Sequence, residues 1–363
     1  MGDYNQKIKD FENELKSTKY NKRTQHHIGL VKAKIARLKE QVETRARGKG
    51  KTEGYSVRKT GDASAVLVGF PSVGKSTLLN ALTNAESKTA AYEFTTLDVV
   101  PGLLEYNYAK IQILDVPGLI QGASQGKGRG KEVISVAKST EMIIILIDIN
   151  NTWQYDIIYR ELYDAKFRLN RKKSDVKIKK TMKGGINISS TVKLSLDKET
   201  IRGIMNEFRI INADVLFREN VDEDELIDVL EDNRFYIPAL TVVNKVDTAS
   251  NAKLQEVKNE FRDAVFVSAE RKQNIEELKK AIFNKLDFIR IYMKNPGKKA
   301  DMDEPLIMKR GSKVKDVCNK LHRDFIKRFR FARVTGKSAK FAGQKFTLEH
   351  VLVDGDILEL HLK

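Results

Sequence analysis

One segment, Gly69-Phe-Pro-Ser-Val-Gly-Lys75-Ser76, constrains this chain more than any other. It reads G-x-x-x-x-G-K-S and lies between an apolar run, Ala65-Val-Leu-Val68, and a helix-forming run, Thr77-Leu-Leu-Asn-Ala-Leu82. That order is a buried strand, a tight loop and a helix, the corner that cradles a polyphosphate. The glycines let the backbone curl until successive N–H groups face phosphate oxygens, and the helix N-terminus adds favourable dipole charge. The expected phosphate contacts are Gly69, Pro71, Ser72, Val73, Gly74, Lys75, Ser76 and Thr77. Lys75 is placed to bridge the β- and γ-phosphates, and the Ser76 hydroxyl to ligate Mg²⁺.

Three further motifs follow in the order such a site needs. The apolar run Ala109-Lys-Ile-Gln-Ile-Leu114 leads into Asp115-Val-Pro-Gly118. An Asp at the end of that strand holds Mg²⁺, usually through water, and the Gly118 N–H can face the γ-phosphate unobstructed. Next, Leu240-Thr-Val-Val-Asn244-Lys245-Val-Asp247 sets N-K-x-D directly after a buried strand. A carboxylate at Asp247 can accept from N1–H and the 2-amino group of guanine, two donors that adenine lacks. Finally, Val265-Phe-Val-Ser268-Ala269 offers the Ala269 N–H to guanine O6. The set implies a guanine-nucleotide domain with GTP or GDP and Mg²⁺ as its ligands. The mobile threonine that such sites use is expected at Thr96, with Thr95 the second choice, in Tyr92-Glu-Phe-Thr95-Thr96-Leu97.

The chain has 363 residues, 41% apolar and 32% charged, enough for several domains and a large core. Its longest apolar run, Met142-Ile-Ile-Ile-Ile-Leu-Ile147, suits a central parallel strand and is too short to span a bilayer. The first residues lack a secretory apolar core, Gly2 lacks the acylation context, and a single cysteine, Cys318, fits a reducing compartment. These features predict a cytoplasmic protein with no membrane partner. The net charge of +17 is concentrated at the ends: residues 1–60 and 289–363 carry +9 each, whereas 61–288 carry −1. Two basic flanks around a neutral centre suit a polyanionic partner.

Residues 1–47 read as a helical hairpin, with Tyr4, Ile8, Phe11 and Leu15 on one stripe and Ile28, Val31, Ile35, Leu38 and Val42 on the other. A nucleic-acid arm and a partner-binding coiled coil are equally compatible with that pattern. The basic stretch Arg45–Lys51 suits phosphate contacts. The long interval between Asp115 and Asn244 predicts an insertion at 165–237. It opens with the basic run from Lys166 to Lys183 and continues with a strand-like stretch, Ile186 to Leu196. A helix over 197–209, a strand over 213–217 and an acidic helix over 222–232 follow. Past Asn295-Pro-Gly the pattern is strand, helix and short strands, with Val314, Val317, Cys318, Leu321 and Phe325 on one helix face. A ubiquitin-like β-grasp fits, with Cys318 in its core. The expected domains are 1–60, 61–164 with 238–288, 165–237, and 289–363.

The phosphate loop, the Tyr-Glu-Phe-Thr-Thr-Leu segment and Asp115-Val-Pro-Gly-Leu-Ile-Gln-Gly-Ala-Ser-Gln-Gly-Lys-Gly-Arg-Gly-Lys131 together resemble the developmentally regulated GTP-binding protein family, in the Obg-related branch of translation-factor-type GTPases. The resemblance extends to His27–Leu38, Lys183–Asn187 and Lys309–Ser312, so it covers nearly the whole chain. It implies an α/β P-loop GTPase domain with a helical N-terminal domain, an inserted S5D2-like α+β module and a C-terminal TGS domain. It also implies association with ribosomes or RNA and regulatory protein partners.

Hydrolysis at such a site is in-line attack of water on the γ-phosphorus, with Lys75, Mg²⁺ and backbone N–H groups stabilising the spreading charge. The residue after Gly118 is Leu119, which cannot align a water, so slow intrinsic turnover is expected. Two aids are compatible with the sequence. One is a K⁺ ion, although Ser72 stands where many cation-dependent sites carry Asn. The other is a partner that orders residues 118–130, a stretch with five glycines. Arg129 in that stretch reads as a solvated or RNA-facing side chain rather than an arginine finger. The leading expectation is a nucleotide-dependent switch on the ribosome. The alternative is an RNA-binding module in which GTP only tunes affinity.

Overall fold

The computed structural model describes residues 2–46, 61–83, 100–116 and 130–363. Thr95, Thr96, Gly118, Leu119 and Arg129 lie outside them. The chain divides into two compact units: residues 1–54 with 166–236, and residues 55–165 with 237–363.

The first unit opens with α1 (Gly2–Ser17) and α2 (Gln25–Ala46). Ile8 packs with Val31 and Ile35, and Phe11, Leu15, Leu38 and Val42 close the same seam. The hairpin expected from the two apolar stripes therefore forms.

The second unit begins with β1 (Ala63–Val68), α3 (Lys75–Leu82), β2 (Val100–Tyr106), β3 (Ala109–Asp115), α4 (Gly130–Ser139), β4 (Met142–Asp148) and α5 (Gln154–Asp164). The chain then returns to the first unit. There β5 (Phe167–Leu169), β6 (Val176–Lys180), β7 (Ile186–Ser190), α6 (Lys198–Glu207), β8 (Ala213–Phe217), α7 (Glu223–Glu231) and β9 (Phe235–Ile237) follow in order. A three-stranded sheet, β6-β8-β7, carries α6 and α7 against its apolar face, where Val215, Phe217, Ile201, Ile204 and Leu226 are buried. Ala33 of α2 belongs to that same core. The hairpin and the inserted module, expected as separate domains, thus share apolar packing. Gly203 shows why they fit so closely: a Cβ there would lie 2.9 Å from the Leu30 side chain. Strand β7 stops at Ser190, short of the expected Leu196, and β6 forms within the basic run that gave no strand signal.

Back in the second unit, β10 (Ala239–Asn244), α8 (Asn251–Glu260), β11 (Val265–Phe266) and α9 (Ile275–Lys285) complete a six-stranded sheet of order β11-β10-β4-β1-β3-β2. Only β2 runs antiparallel to its neighbour; the other pairs are parallel. Strands β1 and β4 are buried along their whole length, the pattern of central strands covered on both faces. Leu78, Leu79 and Leu82 of α3 and Ile275, Leu278 and Ile282 of α9 share one apolar cluster with the sheet. The register aligns Leu67 with Asp115, Val68 with Ile145, and Asn244 with Asp148, so the carboxyl ends of four parallel strands meet. Ligands of open α/β sheets bind at such an edge.

The C-terminal part contains β12 (Phe288–Lys294), β13 (Leu306–Lys309), α10 (Val314–Leu321), α11 (Arg323–Arg328), β14 (Phe329–Thr335), β15 (Gln344–Phe346) and β16 (Ile357–Leu362). Its five strands run in the order β13-β12-β16-β14-β15, and α10 packs Val314, Val317 and a fully buried Cys318 onto them. The single helix expected through Phe325 is broken. His322 adopts an extended backbone (φ −164°, ψ 138°) and caps α11 by accepting from the Asp324 N–H, while Leu321 is 40% exposed. Among the described residues, no helix is long and apolar enough to cross a membrane.

Candidate functional site

The loop after β1 turns through two left-handed positions, Ser72 (φ 64°) and Gly74 (φ 92°). Glycine is required at both ends of the turn for lack of space. A Cβ on Gly69 would sit 2.6 Å from the Leu146 carbonyl oxygen, and one on Gly74 would sit 2.5 Å from Asn244 Nδ2. Val73 is buried and anchors the loop, whereas Pro71, Ser72, Ser76 and Thr77 are exposed at its mouth. Helix α3 starts at once, with Leu78 N–H bonded to the Gly74 carbonyl at 2.9 Å.

Lys75 folds back over the loop and donates to the carbonyls of Gly69 (3.2 Å) and Phe70 (3.1 Å). Burial pushes its pKa below the ordinary lysine value, and the Asp115 carboxylate acts in the opposite direction. A partly desolvated ammonium of this kind gains more from a phosphate than a solvated one does. Beside it, the Ser76 hydroxyl donates to Asp115 Oδ2 at 2.7 Å, and Asp115 is only 8% exposed.

Asn244, 2% exposed, ties three motifs together. Its Nδ2 donates to the Val73 carbonyl at 2.9 Å, and its Oδ1 accepts from the Ala269 N–H at 3.0 Å. Lys245, itself in a left-handed conformation (φ 62°), donates to the Ser72 carbonyl at 2.8 Å and pairs with Asp148 at 2.9 Å. Ser268 is fully buried, and its side-chain hydrogen bond is the main cause that holds the Asp247 carboxyl below the usual carboxylate range. Arg271, 3.5 Å from Asp247, acts in the same direction. Every described residue expected at the site from sequence therefore gathers at one edge of the sheet.

Three participants carried no motif. Asp148 ends β4 and positions Lys245. Asn150 donates to Thr248 Oγ1 at 3.0 Å, clipping the next loop to the N-K-x-D segment. Trp153 stands edge-on to Phe70 of the phosphate loop, ring centroids 5.6 Å apart. A usable signal was present for the first two: polar Asp148-Ile-Asn150 directly ends a fully buried parallel strand next to β1.

The family model described as "50S ribosome-binding GTPase" matches residues 64–180, the C-terminal region of that domain matches 183–288, and the TGS domain matches 289–362. The developmentally-regulated G-protein 3 of Arabidopsis thaliana is 43% identical over 361 residues, covering 98% of each chain. This chain belongs to the developmentally regulated GTP-binding protein family. An uncharacterized GTP-binding protein of Methanocaldococcus jannaschii is 53% identical over 363 residues, covering 99% of this chain and 93% of that protein. The ribosome-interacting GTPase 1 of Saccharomyces cerevisiae is 43% identical, covering 98% of each.

As a member of this family the chain is a P-loop GTPase with a C-terminal TGS domain. The site fits its nucleotide and metal on physical grounds. The loop's cradle at Gly69 and Gly74 excludes even a methyl group. Ser76 and Asp115 offer two hard oxygen donors within 2.7 Å of each other, the ligand type Mg²⁺ selects. Mg²⁺ takes few protein ligands and completes its shell with phosphate oxygens and water, neutralising charge on the phosphates.

Proposed function

We propose that this GTPase acts in the cytoplasm as a nucleotide-dependent switch on ribosomes or RNA during translation. The observation that carries the reading is the charge distribution. Residues 61–288, which hold the guanine-nucleotide domain and the inserted module, carry net charge −1 between two flanks of +9 each, and phosphate backbones are the natural counterpart of such flanks. The matching family, 50S ribosome-binding GTPases, and the name of the yeast relative support the same partner.

In this reading Lys75 would meet the β- and γ-phosphates, and Ser76, Asp115 and Thr96 would hold Mg²⁺, which would neutralise charge on the phosphates. The N–H groups of 69–77 line the phosphates, and the Gly118 N–H senses the γ-phosphate. Asp247 accepts from N1–H and the 2-amino group of guanine, and Ser268 holds Asp247 in its ionised, oriented form; the Ala269 N–H, expected at O6, is held by Asn244 Oδ1 and reaches guanine only by sharing or leaving that bond. Asn244 and Lys245 act on the phosphate loop through its Val73 and Ser72 carbonyls. Leu119 itself offers the attacking water no hydrogen bond, so turnover is slow until a K⁺ ion or a regulatory protein or ribosomal contact supplies order.

Single-turnover GTP hydrolysis, with and without ribosomes and in K⁺ against Na⁺, tests this. Acceleration by ribosomes supports the switch; acceleration by K⁺ alone assigns the ordering to the ion. Rates that ribosomes leave unchanged while RNA binds equally in GDP and GTP would favour the RNA-binding module instead.

A further inference from the structure

The C-terminal sheet has two faces. Ala332, Val334, Leu358 and Leu360 point toward α10 and lie in or against its core. Strand alternation sends their neighbours Phe331, Arg333, Glu359 and His361 to the opposite face. There the register sets Phe331 across from His361, and Arg333 across from both Glu359 and Lys345.

That face is built as an aromatic platform with cations around it. The Phe331 and His361 rings stack with centroids 4.2 Å apart and planes 17° from parallel. Lys345 Nζ lies 4.8 Å from the Phe331 centroid, and the Arg330 and Arg333 guanidinium carbons lie 5.8 and 5.9 Å from it. Glu359, 5% exposed, pins the array from below: it pairs with Lys294 at 2.7 Å, His361 at 2.6 Å and Arg333 at 3.7 Å. One carboxylate against Lys294, Arg330, Arg333 and Lys345 leaves the patch strongly positive. Alongside it opens a cavity of about 640 Å³, with Phe341 on its rim, 65% exposed. This volume lies within the ~300–1,000 Å³ of compact organic-ligand sites.

Cations alone would suit any polyanion, and exposed rings alone would suit an apolar peptide. The combination suits a ligand with a charged backbone and flat, accessible faces, which is an unpaired nucleic-acid strand. A duplex presents phosphates but keeps its base faces stacked inside. Resting on the proposed RNA-facing role, we propose that this face binds a single-stranded segment of RNA, with the exposed Phe341 as base platform, the Phe331–His361 stack holding the cations in place, and Arg330, Arg333 and Lys345 as phosphate contacts.

The test uses the full chain and labelled oligouridine and oligoadenosine strands about a dozen nucleotides long, with a duplex of equal length as comparison, across a salt series. Phe341 and Lys345 are both exposed, so their replacement leaves the core intact. Phe341→Ala is expected to weaken single-strand binding about 5- to 100-fold with the salt slope unchanged. Lys345→Ala is expected to weaken it and reduce the slope by about 0.7. Melting temperature and basal GTP hydrolysis stay at wild-type values in both. Wild-type affinity and slope in both variants, or a preference for the duplex, overturns the proposal. Ribosome sedimentation of the same proteins separates the two ideas. Nucleotide-dependent pelleting by variants that bind the strands like wild type removes this face and keeps the translational role. Strand binding lost in the variants, without any ribosome pelleting by wild type, keeps the face and removes that role.

Discussion

Replacing Asn244 by alanine removes two buried hydrogen bonds and leaves two backbone groups behind, the Val73 carbonyl and the Ala269 N–H. Stripping a buried polar group of its partner costs ~1–3 kcal/mol, so the pair amounts to roughly 2–6 kcal/mol. Water can reach the partly exposed Gly74 beside Val73 and recover some of this, which narrows the expectation to about 2–4 kcal/mol. The loss falls on nucleotide binding, because the severed bonds hold the phosphate loop to the two guanine loops. At ~1.4 kcal/mol per tenfold, GDP should bind about 30- to 700-fold more weakly. Trp153 supplies the assay: it is the chain's single tryptophan and it contacts Phe70, so its emission follows the phosphate loop during a GDP titration. A variant that binds GDP within about threefold of wild type, a shift of under ~0.7 kcal/mol, would refute the reasoning that Asn244 is the tie between the motifs.

Gly74→Ala should abolish nucleotide binding in the same titration, since the new Cβ meets Asn244 Nδ2 at 2.5 Å in a backbone conformation (φ 92°) that alanine resists. Asp247→Asn should weaken GDP about 10- to 150-fold, the range for a lost charge-assisted bond, and favour xanthosine diphosphate, whose C2 carbonyl accepts from an amide; competition binding reads both. The C-terminal domain should lose stability in acid. Lys294 is the main cause that holds Glu359 below the ordinary glutamate value of 4.5, so the folded carboxyl releases its proton more readily than the unfolded one. Its contribution is then complete above about pH 4.5 and disappears as pH falls through the depressed folded value. Thermal melts between neutral pH and pH ~3 should show this fall, and Glu359→Gln should flatten it.

Much of the site is legible in sequence because each motif is local: a turn or strand end whose residue types the backbone itself demands. Gly69 and Gly74 are fixed by close approach, and Asn244, Lys245 and Asp247 follow directly on a buried strand. The polar end of an apolar run marks Asp148 as a candidate, but its pairing with Lys245 depends on register, because nothing local says that the end of β4 lies beside the end of β10. The same holds for the first unit. Ala33 reads as a neutral helix residue, yet it lies in the core formed with α6 and β8, a long-range match that helical periodicity does not encode. At His322 the apolar spacing continues through Leu321 to Phe325, but the imidazole caps a new helix and the chain breaks there. Side-chain–backbone competition of this kind overrides periodicity.

A switch of the proposed kind has a ribosome affinity that depends on the bound nucleotide. Its most direct test is co-sedimentation with ribosomes in a non-hydrolysable GTP analogue, in GDP and without nucleotide, repeated across a salt series. The expected result is pelleting with the analogue that GDP abolishes, and loss of that pelleting when residues 289–363 or 1–60 are removed. Equal pelleting in all three conditions, fading steeply with salt, would contradict it and leave only basic flanks adhering to RNA.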